Sequence, residues 1–157
     1  MIVGLTIGCG GEDAPETTAE PSPDAEACEH LEQGPAQPIA AGSAADDSAP
    51  AVADDHRRYD ITLADISGQN GGFVAFASSE AADWLFLFDR DVPVTFRDAA
   101  GAAIAPEETS ASSADCPLVR GRHLVPLEVG TVYLELGPST ETSVSLVIEE
   151  AAGHEHE

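Results

Sequence analysis

Short runs of alternating apolar and polar residues follow one another from Tyr59 to Glu149, and they predict β-strands. In 131-TVYLELG-137 and 143-SVSLVIE-149 every second side chain is apolar, which is typical of a strand with one buried face. The run 84-WLFLF-88 is apolar on both faces and predicts a central strand covered on both sides. Strands are predicted at 59–63, 72–78, 84–88, 92–96, around Ile104, and at 123–128, 131–137 and 143–149.

Turns rich in Gly, Pro and Asp separate these eight runs, and helical periodicity is absent from them. This spacing predicts an all-β domain over residues 56–150, a single antiparallel β-sandwich of jelly-roll or immunoglobulin-like type. A short tail at 151–157, rich in His and Glu, follows the predicted sandwich.

The residues before this domain have a different composition. Residues 10–55 carry twelve acidic side chains, no Arg or Lys, and six of the eleven prolines, and their apolar residues are mostly Ala. Such a stretch buries too little apolar surface to offset the entropy lost on ordering. We therefore predict a disordered acidic tether at 9–26 and a linker loop at 43–55. The segment 27–42 between them is predicted to add an edge strand at 36–41.

The charge of the chain limits its partners. The formal net charge is −23 at pH 7, and all six basic residues are Arg. A surface this acidic repels nucleic-acid phosphates and anionic lipid headgroups, so neither is expected as a direct partner, whereas cations are attracted. The sequence also lacks G-x-S-x-G, H-E-x-x-H, a Gly-rich phosphate loop and an EF-hand loop, so we do not expect an enzyme.

The first residues of the chain carry a resemblance to a known class of protein. Residues 1–8 are apolar and run directly into Cys9, and the sequence 5-LTIGC-9 resembles the lipobox of bacterial lipoproteins, with Gly8 as the small residue. The resemblance implies a signal peptide at 1–8 and lipidation of Cys9, which becomes an anchor in the membrane. It also implies a cell-envelope location. Because Gly10 is not the Asp that retains such proteins at the inner membrane, it implies the outer membrane of a Gram-negative host, on the periplasmic face or the surface.

Lipidation of Cys9 would leave two of the three cysteines, Cys28 and Cys116. An oxidising envelope favours a disulfide between them. The bridge would attach a helical turn expected at 25–32 to the folded domain. A metal-binding role for Cys28 is less favoured, because the chain has no C-x-x-C pair.

A second resemblance concerns the folded part. The stretches 92-VPVTFRDAAGAAI-104, 127-LEVGTVYLELG-137 and 144-VSLVIE-149 resemble the pre-peptidase C-terminal domain, a small β-sandwich appended to many secreted bacterial proteins. The shared features are a D-x-x-G turn, a strand after a Leu-x-x-Gly sequence, and a closing strand. The resemblance covers residues 59–150 and implies a binding or accessory role.

The histidines offer a possible metal site. His154 and His156 are two residues apart, so in an extended chain both point the same way. His30 lies near the start of the fold, and the two ends of a domain often approach each other. Imidazole ligands suit Cu(II), Zn(II) and Ni(II). We therefore consider a site made of His30, His154 and His156, while His56 and His123, which each begin a strand, could face one rim. The alternative is a solvated tail with incidental histidines.

Oxygen ligands for calcium are a further possibility. Asp83, Asp89, Asp91 and Asp98 flank one predicted hairpin. Aspartates at such positions more often stabilise turns.

Three hypotheses for function follow. The first is a non-enzymatic envelope lipoprotein whose β-sandwich is a binding or accessory module. The second is a lipoprotein that binds a transition-metal ion, Cu, Zn or Ni, through clustered histidines. The third is a structural or adhesion module that contacts another envelope protein through a sheet edge. The position of the terminal histidines relative to His30 distinguishes the second hypothesis from the others.

Overall fold

A computed structural model describes residue 15 and residues 19–151 of the chain. Cys9, His154 and His156 lie outside the described residues. The described part contains one helix, α1 (Pro23–Gln33), and twelve strands. In chain order the strands are β1 (Ala36–Ala40), β2 (Ala51–Val52), β3 (Arg58–Thr62), β4 (Ala64–Ile66), β5 (Gln69–Ser78), β6 (Ala82–Phe88), β7 (Val94–Arg97), β8 (Ala103–Ile104), β9 (Glu108–Ser110), β10 (Gly121–Leu127), β11 (Gly130–Ser139) and β12 (Ser143–Glu150).

The strands form two sheets packed as a sandwich, which confirms the predicted all-β fold class. The first sheet has the spatial order β1-β3-β12-β6-β10-β9, and the second has the order β2-β5-β11-β7-β8, with β4 beside β5. Most neighbours run antiparallel, but the edge pairs β1–β3 and β2–β5 are parallel, so both sheets are mixed. The β1–β3 pair is parallel because the chain crosses from β1 to β2 in the other sheet before it returns as β3.

All eight runs predicted from alternation are strands, and the predicted edge strand at 36–41 is β1. Three further strands, β2, β4 and β9, have only two or three residues each. A strand this short has no alternating pattern to detect, and its pairing is fixed by the neighbouring longer strand.

Aromatic side chains fill the space between the two sheets. Phe86 of β6 is fully buried, and its ring centroid lies 5.6 Å from that of Phe76 and 4.9 Å from that of Phe96. Phe76 also meets Trp84 edge-on. The last strand, β12, adds three buried side chains to the same core, Val144, Leu146 and Ile148.

The outer face of the first sheet is covered by α1, which explains why β6 is apolar on both faces. Leu85 and Leu87 of β6 belong to a second buried cluster, together with Ala27 and Leu31 of α1. Val147, on the outer face of β12, completes this layer. The prediction of a central strand covered on both sides is confirmed.

α1 begins inside the segment predicted as a tether, because local capping signals favour a helix there despite the acidic composition. Ser22 is the N-cap, and its Oγ accepts a hydrogen bond from a first-turn backbone N–H at 3.2 Å. Pro23 starts the helix, and Asp24 and Glu26 lie in its first turn, where the helix dipole favours negative charge. Gly34, with φ 75°, ends it.

The predicted disulfide between Cys28 and Cys116 is present, and it joins α1 to the loop between β9 and β10. The two Cα atoms are 5.3 Å apart, and 88 residues of sequence separate them. The chain-entropy model assigns about 4 kcal/mol of stabilisation to closing a loop of this length.

Polar contacts attach the N-terminal half of α1 to the same loop and to β10. Arg122 donates from Nε and Nη2 to the carboxylate of Asp24 at 2.8 and 3.0 Å. The hydroxyl of Ser113 donates to Asp24 at 2.5 Å, and that of Ser22 donates to Asp115 at 2.6 Å. Although burial opposes it, the hydrogen bonds from Arg122 and Ser113 hold the pKa of Asp24 below its ordinary value.

Part of the segment predicted as a linker, 43–55, packs on the second sheet. β2 pairs with β5 and buries Val52, and Ala49 is buried just before it. The polar part of the segment is also ordered, because Asp46 accepts a hydrogen bond from the backbone N–H of Ser48 at 2.8 Å. The apolar side chains of Ala49 and Val52 are enough to attach this acidic segment, because the second sheet already provides an apolar surface for them to pack on.

Candidate metal centre

Three residues from two separate parts of the chain converge beside the C-terminal end of β12. They are Glu26 and His30 of α1 and His56 of the connection between β2 and β3. One ligand atom from each, a carboxylate oxygen or a ring nitrogen, lies within 4.8 Å of the other two. Among the described residues, this is the one group of three or more metal-ligating side chains that converge so closely.

The helix places two of these ligands. Glu26 and His30 are four residues apart in α1, so they project from the same side, one turn above the other. Cys28 lies between them in sequence but projects about 200° away from each around the helix axis. Its sulfur is bonded to Cys116, so the helix uses one side for its covalent attachment and another for the ligands.

The turn before β3 places the third ligand. His56 adopts a left-handed backbone conformation with φ 58°, which is uncommon for a residue other than Gly. Its ring centroid is 5.4 Å from that of His30, and its Nδ1 is 3.7 Å from Oε1 of Glu26. The side chain of His56 is 64% exposed, so this side of the cluster is open to solvent.

Glu149 of β12 is not one of these three residues, but it lies beside His30 and is an unusual carboxylate. Only 5% of Glu149 is exposed, and its Oε1 has no hydrogen-bond partner. This oxygen is 3.9 Å from Nε2 of His30, which is too far for a hydrogen bond. Burial, and after it the charges of Asp54 and Glu26, raise the pKa of Glu149 to about 8.

Asp54 adds a second carboxylate to the floor of the cluster. Its Oδ1 is buried and has no hydrogen-bond partner. Burial is the main reason why the pKa of Asp54 is raised, and nearby carboxylates including Glu150 and Glu26 add to it, while His56 opposes it. Two buried carboxylate oxygens without partners are costly to the fold, because a buried polar group normally finds a hydrogen bond.

The arginines do not neutralise this region. Arg57 pairs with Asp55 at 3.2 Å, and Arg58 pairs with Asp60 at 2.8 Å. Within residues 19–151, no arginine forms an ion pair with Glu26, Asp54 or Glu149; the pairs of the other arginines lie elsewhere. An acidic cleft beside α1 adds further negative charge, and its acidic lining residues are Glu20, Glu26, Glu29 and Glu150.

These distances approach those around a bound cation. Two ligand atoms on one tetrahedral Zn(II) ion lie about 3.4 Å apart, for metal–ligand bonds of about 2.1 Å. The pairs Glu26–His56 and His30–Glu149, at 3.7 and 3.9 Å, are within about 0.5 Å of this value. The largest separation among Glu26, His30 and His56, up to 4.8 Å, needs a movement of roughly 1.4 Å, which a rotation of the exposed His56 side chain can supply. Two imidazoles with carboxylates form a donor set for Zn(II), Cu(II) or Ni(II).

The structure places only some of the site residues that the sequence predicts in the candidate centre. His30 lies in the cluster, whereas the positions of His154 and His156 are outside the described residues. His123 does not share a rim with His56, contrary to that expectation. Its ring lies between the sheets, 5.8 Å from Phe88 and 5.6 Å from Phe96, and burial lowers its pKa.

The aspartates considered for calcium do not form a site with one another in the described part of the chain. Asp98 accepts hydrogen bonds from the backbone N–H groups of Ala100 and Ala102, both at 2.9 Å, so it stabilises a turn. Asp89 accepts one from Ser145 N–H at 2.7 Å and links β6 to β12.

Sequence patterns alone did not identify Glu26, Glu149 or Asp54 as members of the site. One available signal was Glu26 four residues before His30, a spacing that places two ligands on one side of a helix. Glu149 gave no signal, because an acidic residue at the end of a strand is ordinarily solvated.

Comparisons with known proteins leave the family open. Neither the search of protein-family models nor the search of curated proteins found a match to this chain. Within the described residues, α1 is the one helix, and it is neither long nor apolar enough to cross a bilayer.

Proposed function

We propose that this protein is a non-enzymatic lipoprotein of the bacterial cell envelope that binds a divalent transition-metal ion, Zn(II), Cu(II) or Ni(II). The ligands are Glu26, His30 and His56, with Glu149 as a fourth ligand from below. The observation that supports this proposal is the convergence of Glu26, His30 and His56, with Oε1 of Glu149, a buried atom without a hydrogen-bond partner, 3.9 Å from His30. A cation at this position would take the place of the proton that the Glu149 carboxyl otherwise retains.

The lipoprotein part of the proposal rests on the lipobox-like sequence 5-LTIGC-9. The disulfide between Cys28 and Cys116 agrees with it, because structural disulfides persist in oxidising compartments such as the periplasm. Lipidation would occupy Cys9, so the mature protein would present no free thiol to the metal.

The test is calorimetric titration of the oxidised, full-length chain with Zn(II), Cu(II) and Ni(II). A Cys9→Ser background removes a thiol that would otherwise bind these ions in unlipidated protein. We expect submicromolar binding of one ion per chain. His30→Ala should weaken the metal affinity by about 100-fold or more. Residues that only hydrogen-bond to a ligand already contribute about 10- to 100-fold, and a direct ligand contributes at least as much.

Two controls make the test specific. Glu32→Gln removes an exposed carboxylate from the same helix and should change the affinity by less than about twofold, since surface charges act weakly at a distance. The double variant His154→Ala/His156→Ala separates the cluster from the tail. Binding that survives His30→Ala but is lost in the tail variant would contradict the proposed centre.

The adhesion hypothesis remains the alternative, and one feature supports it. All three residues of β9, Glu108–Ser110, are exposed at the edge of the first sheet. An exposed edge strand is a template for pairing with another chain. If none of the three ions binds in the titration, a partner protein at this edge becomes the better proposal.

A further inference from the structure

We propose that the disulfide between Cys28 and Cys116 controls the affinity of the metal centre, so that its reduction by a dithiol reductant releases the ion. This inference rests on the proposed metal-binding function and names how that site is regulated.

The proposed ligands lie on two parts of the structure, the helix α1 and the β-sandwich. Glu26 and His30 belong to α1, whereas His56 and Glu149 belong to the sandwich and its connections. An ion bound to all four would bridge the helix and the sandwich. Its affinity therefore depends on how firmly α1 is held in place.

One loop provides the covalent attachment of α1 and two of its side-chain hydrogen bonds, while Arg122 of β10 and Arg58 of β3 provide the others. Ser113, Asp115 and Cys116 all lie between β9 and β10, and they contact the N-cap, the first turn and the middle of α1. Cys116 is fully buried, and the loop has little regular structure beyond a single bridge between Ser113 and Cys116. The disulfide is the covalent part of this attachment, so its loss loosens the loop and the helix together.

Electrostatic repulsion opposes the docking of α1. The helix carries Asp24, Glu26, Glu29 and Glu32, and Glu26 and Glu29 line an acidic cleft with Glu150 of β12. Arg122 pairs with Asp24, whereas no arginine of the described chain pairs with Glu26. Like charges at this range destabilise the docked state. The disulfide and the bound ion therefore both hold an acidic helix against an acidic surface.

The chemistry is ordinary thiol–disulfide exchange. A thiolate of the reductant attacks Sγ of the half-buried Cys28, and the thiolate of Cys116 leaves. The second thiol of the reductant then attacks the mixed disulfide. Two electrons and two protons pass to the protein, which gains two thiols, while the reductant becomes a disulfide. Cys28 projects away from Glu26 and His30, so the new thiol does not replace a ligand.

Thermodynamic linkage makes the effect reciprocal. If reduction weakens metal binding by some factor, then the ion must stabilise the disulfide against reduction by the same factor. The inference therefore has two independent readouts, metal affinity and the equilibrium of reduction.

The first measurement compares Zn(II) affinity in the oxidised full-length chain and in Cys28→Ser/Cys116→Ser, both in the Cys9→Ser background. Serine removes the disulfide without introducing thiols that bind zinc. We expect the affinity to fall by about tenfold or more, as for the loss of support around other metal sites. An affinity within about twofold of the oxidised protein would overturn the inference.

The second measurement does not depend on whether the serine variant folds. The Cys9→Ser protein is equilibrated in glutathione redox buffers with and without saturating Zn(II), and thiols are trapped by alkylation. We expect zinc to shift the thiol–disulfide equilibrium toward the disulfide by about tenfold or more, and His30→Ala to abolish the shift. An equilibrium that zinc leaves unchanged would overturn the inference. Failure of the proposed function is distinguishable, because the oxidised protein itself would then show no His30-dependent binding.

Discussion

The two faces of β12 have opposite characters: one packs in the core between the sheets, and the other carries the buried acid of the proposed metal centre. The inner face, Val144, Leu146 and Ile148, is uniformly apolar and buried between the sheets. The outer face continues from Val147 to Glu149, a buried acidic side chain whose Oε1 has no hydrogen-bond partner. Burial of apolar side chains stabilises the inner face, whereas burial of an unpaired carboxyl oxygen is unfavourable.

The largest effect is expected when the core between the two sheets, on which the inner face of β12 packs, is disrupted. Phe86→Ala removes a ring that contacts Phe76 and Phe96, and it should lower the free energy of unfolding by about 4 to 5 kcal/mol. Denaturant titration measures this loss. The variant Phe73→Ala, at a half-buried position of β5, is the control and should lose about half as much or less. Equal losses would mean that the inter-sheet core is not the main source of stability.

A smaller effect is expected when α1 is released from the outer face. Reduction of the disulfide removes the constraint on an 88-residue separation, and it should lower the free energy of unfolding by about 2 to 4 kcal/mol. Thermal unfolding of oxidised and reduced protein in the Cys9→Ser background measures the difference. Because the inter-sheet core contains no cysteine, the reduced protein should still unfold from a β-rich state. Identical melting temperatures would contradict the stabilising role of the bridge.

The smallest effect on stability, and the most informative, is expected from Glu149→Gln, because the pKa of Glu149 is raised from 4.5 to about 8 in the folded protein. Below the lower value the side chain is protonated in both states. As the pH rises from about 4.5 to about 8, the unfolded chain loses this proton while the folded protein retains it, so the fold loses stability. Glutamine removes this loss.

Linkage sets an upper limit of about 4 kcal/mol on the stabilisation by Glu149→Gln near pH 8. Because burial of an unpaired amide costs roughly 2 kcal/mol, we expect the free energy of unfolding of the metal-free protein to rise by about 2 kcal/mol near pH 8, and by much less near pH 4. The same variant should weaken Zn(II) binding. Glu128→Gln, at an exposed position after β10, is the matched control and should change neither quantity. A variant that is destabilised near pH 8 would show that the Glu149 carboxylate serves the fold rather than a ligand.

The strands were predictable from the sequence because alternation reports burial directly. In the run 84-WLFLF-88, the apolar residues on the second face also required a covering element, and α1 is that element. The start of the helix was not predictable from composition, since the acidic and Pro-rich stretch resembles disorder. Its position follows from the cap at Ser22 and from Ala27 and Leu31, whose burial depends on a sheet formed much later in the chain.

The candidate site was predictable only at His30. Its proposed partners Glu26, His56 and Glu149 are spread over most of the chain, and the antiparallel pairing of β3 with β12 places the segment before β3 alongside the end of β12. A local pattern carries no information about such a register. Glu149 is buried because α1 packs above it, and such tertiary packing cannot be read from a local sequence pattern.

The position of β12 in the first sheet determines at which stage of folding the proposed metal centre can assemble. This strand lies between β3 and β6, so the first sheet is divided into two parts until the last strand of the described chain is added. Because Glu149 lies on that strand, the centre joins the beginning and the end of the domain, and such long-range contacts form late in folding. A chain still being synthesised would carry most of the proposed ligands but would have no assembled site, so the proposed centre could bind an ion only after the whole domain has folded.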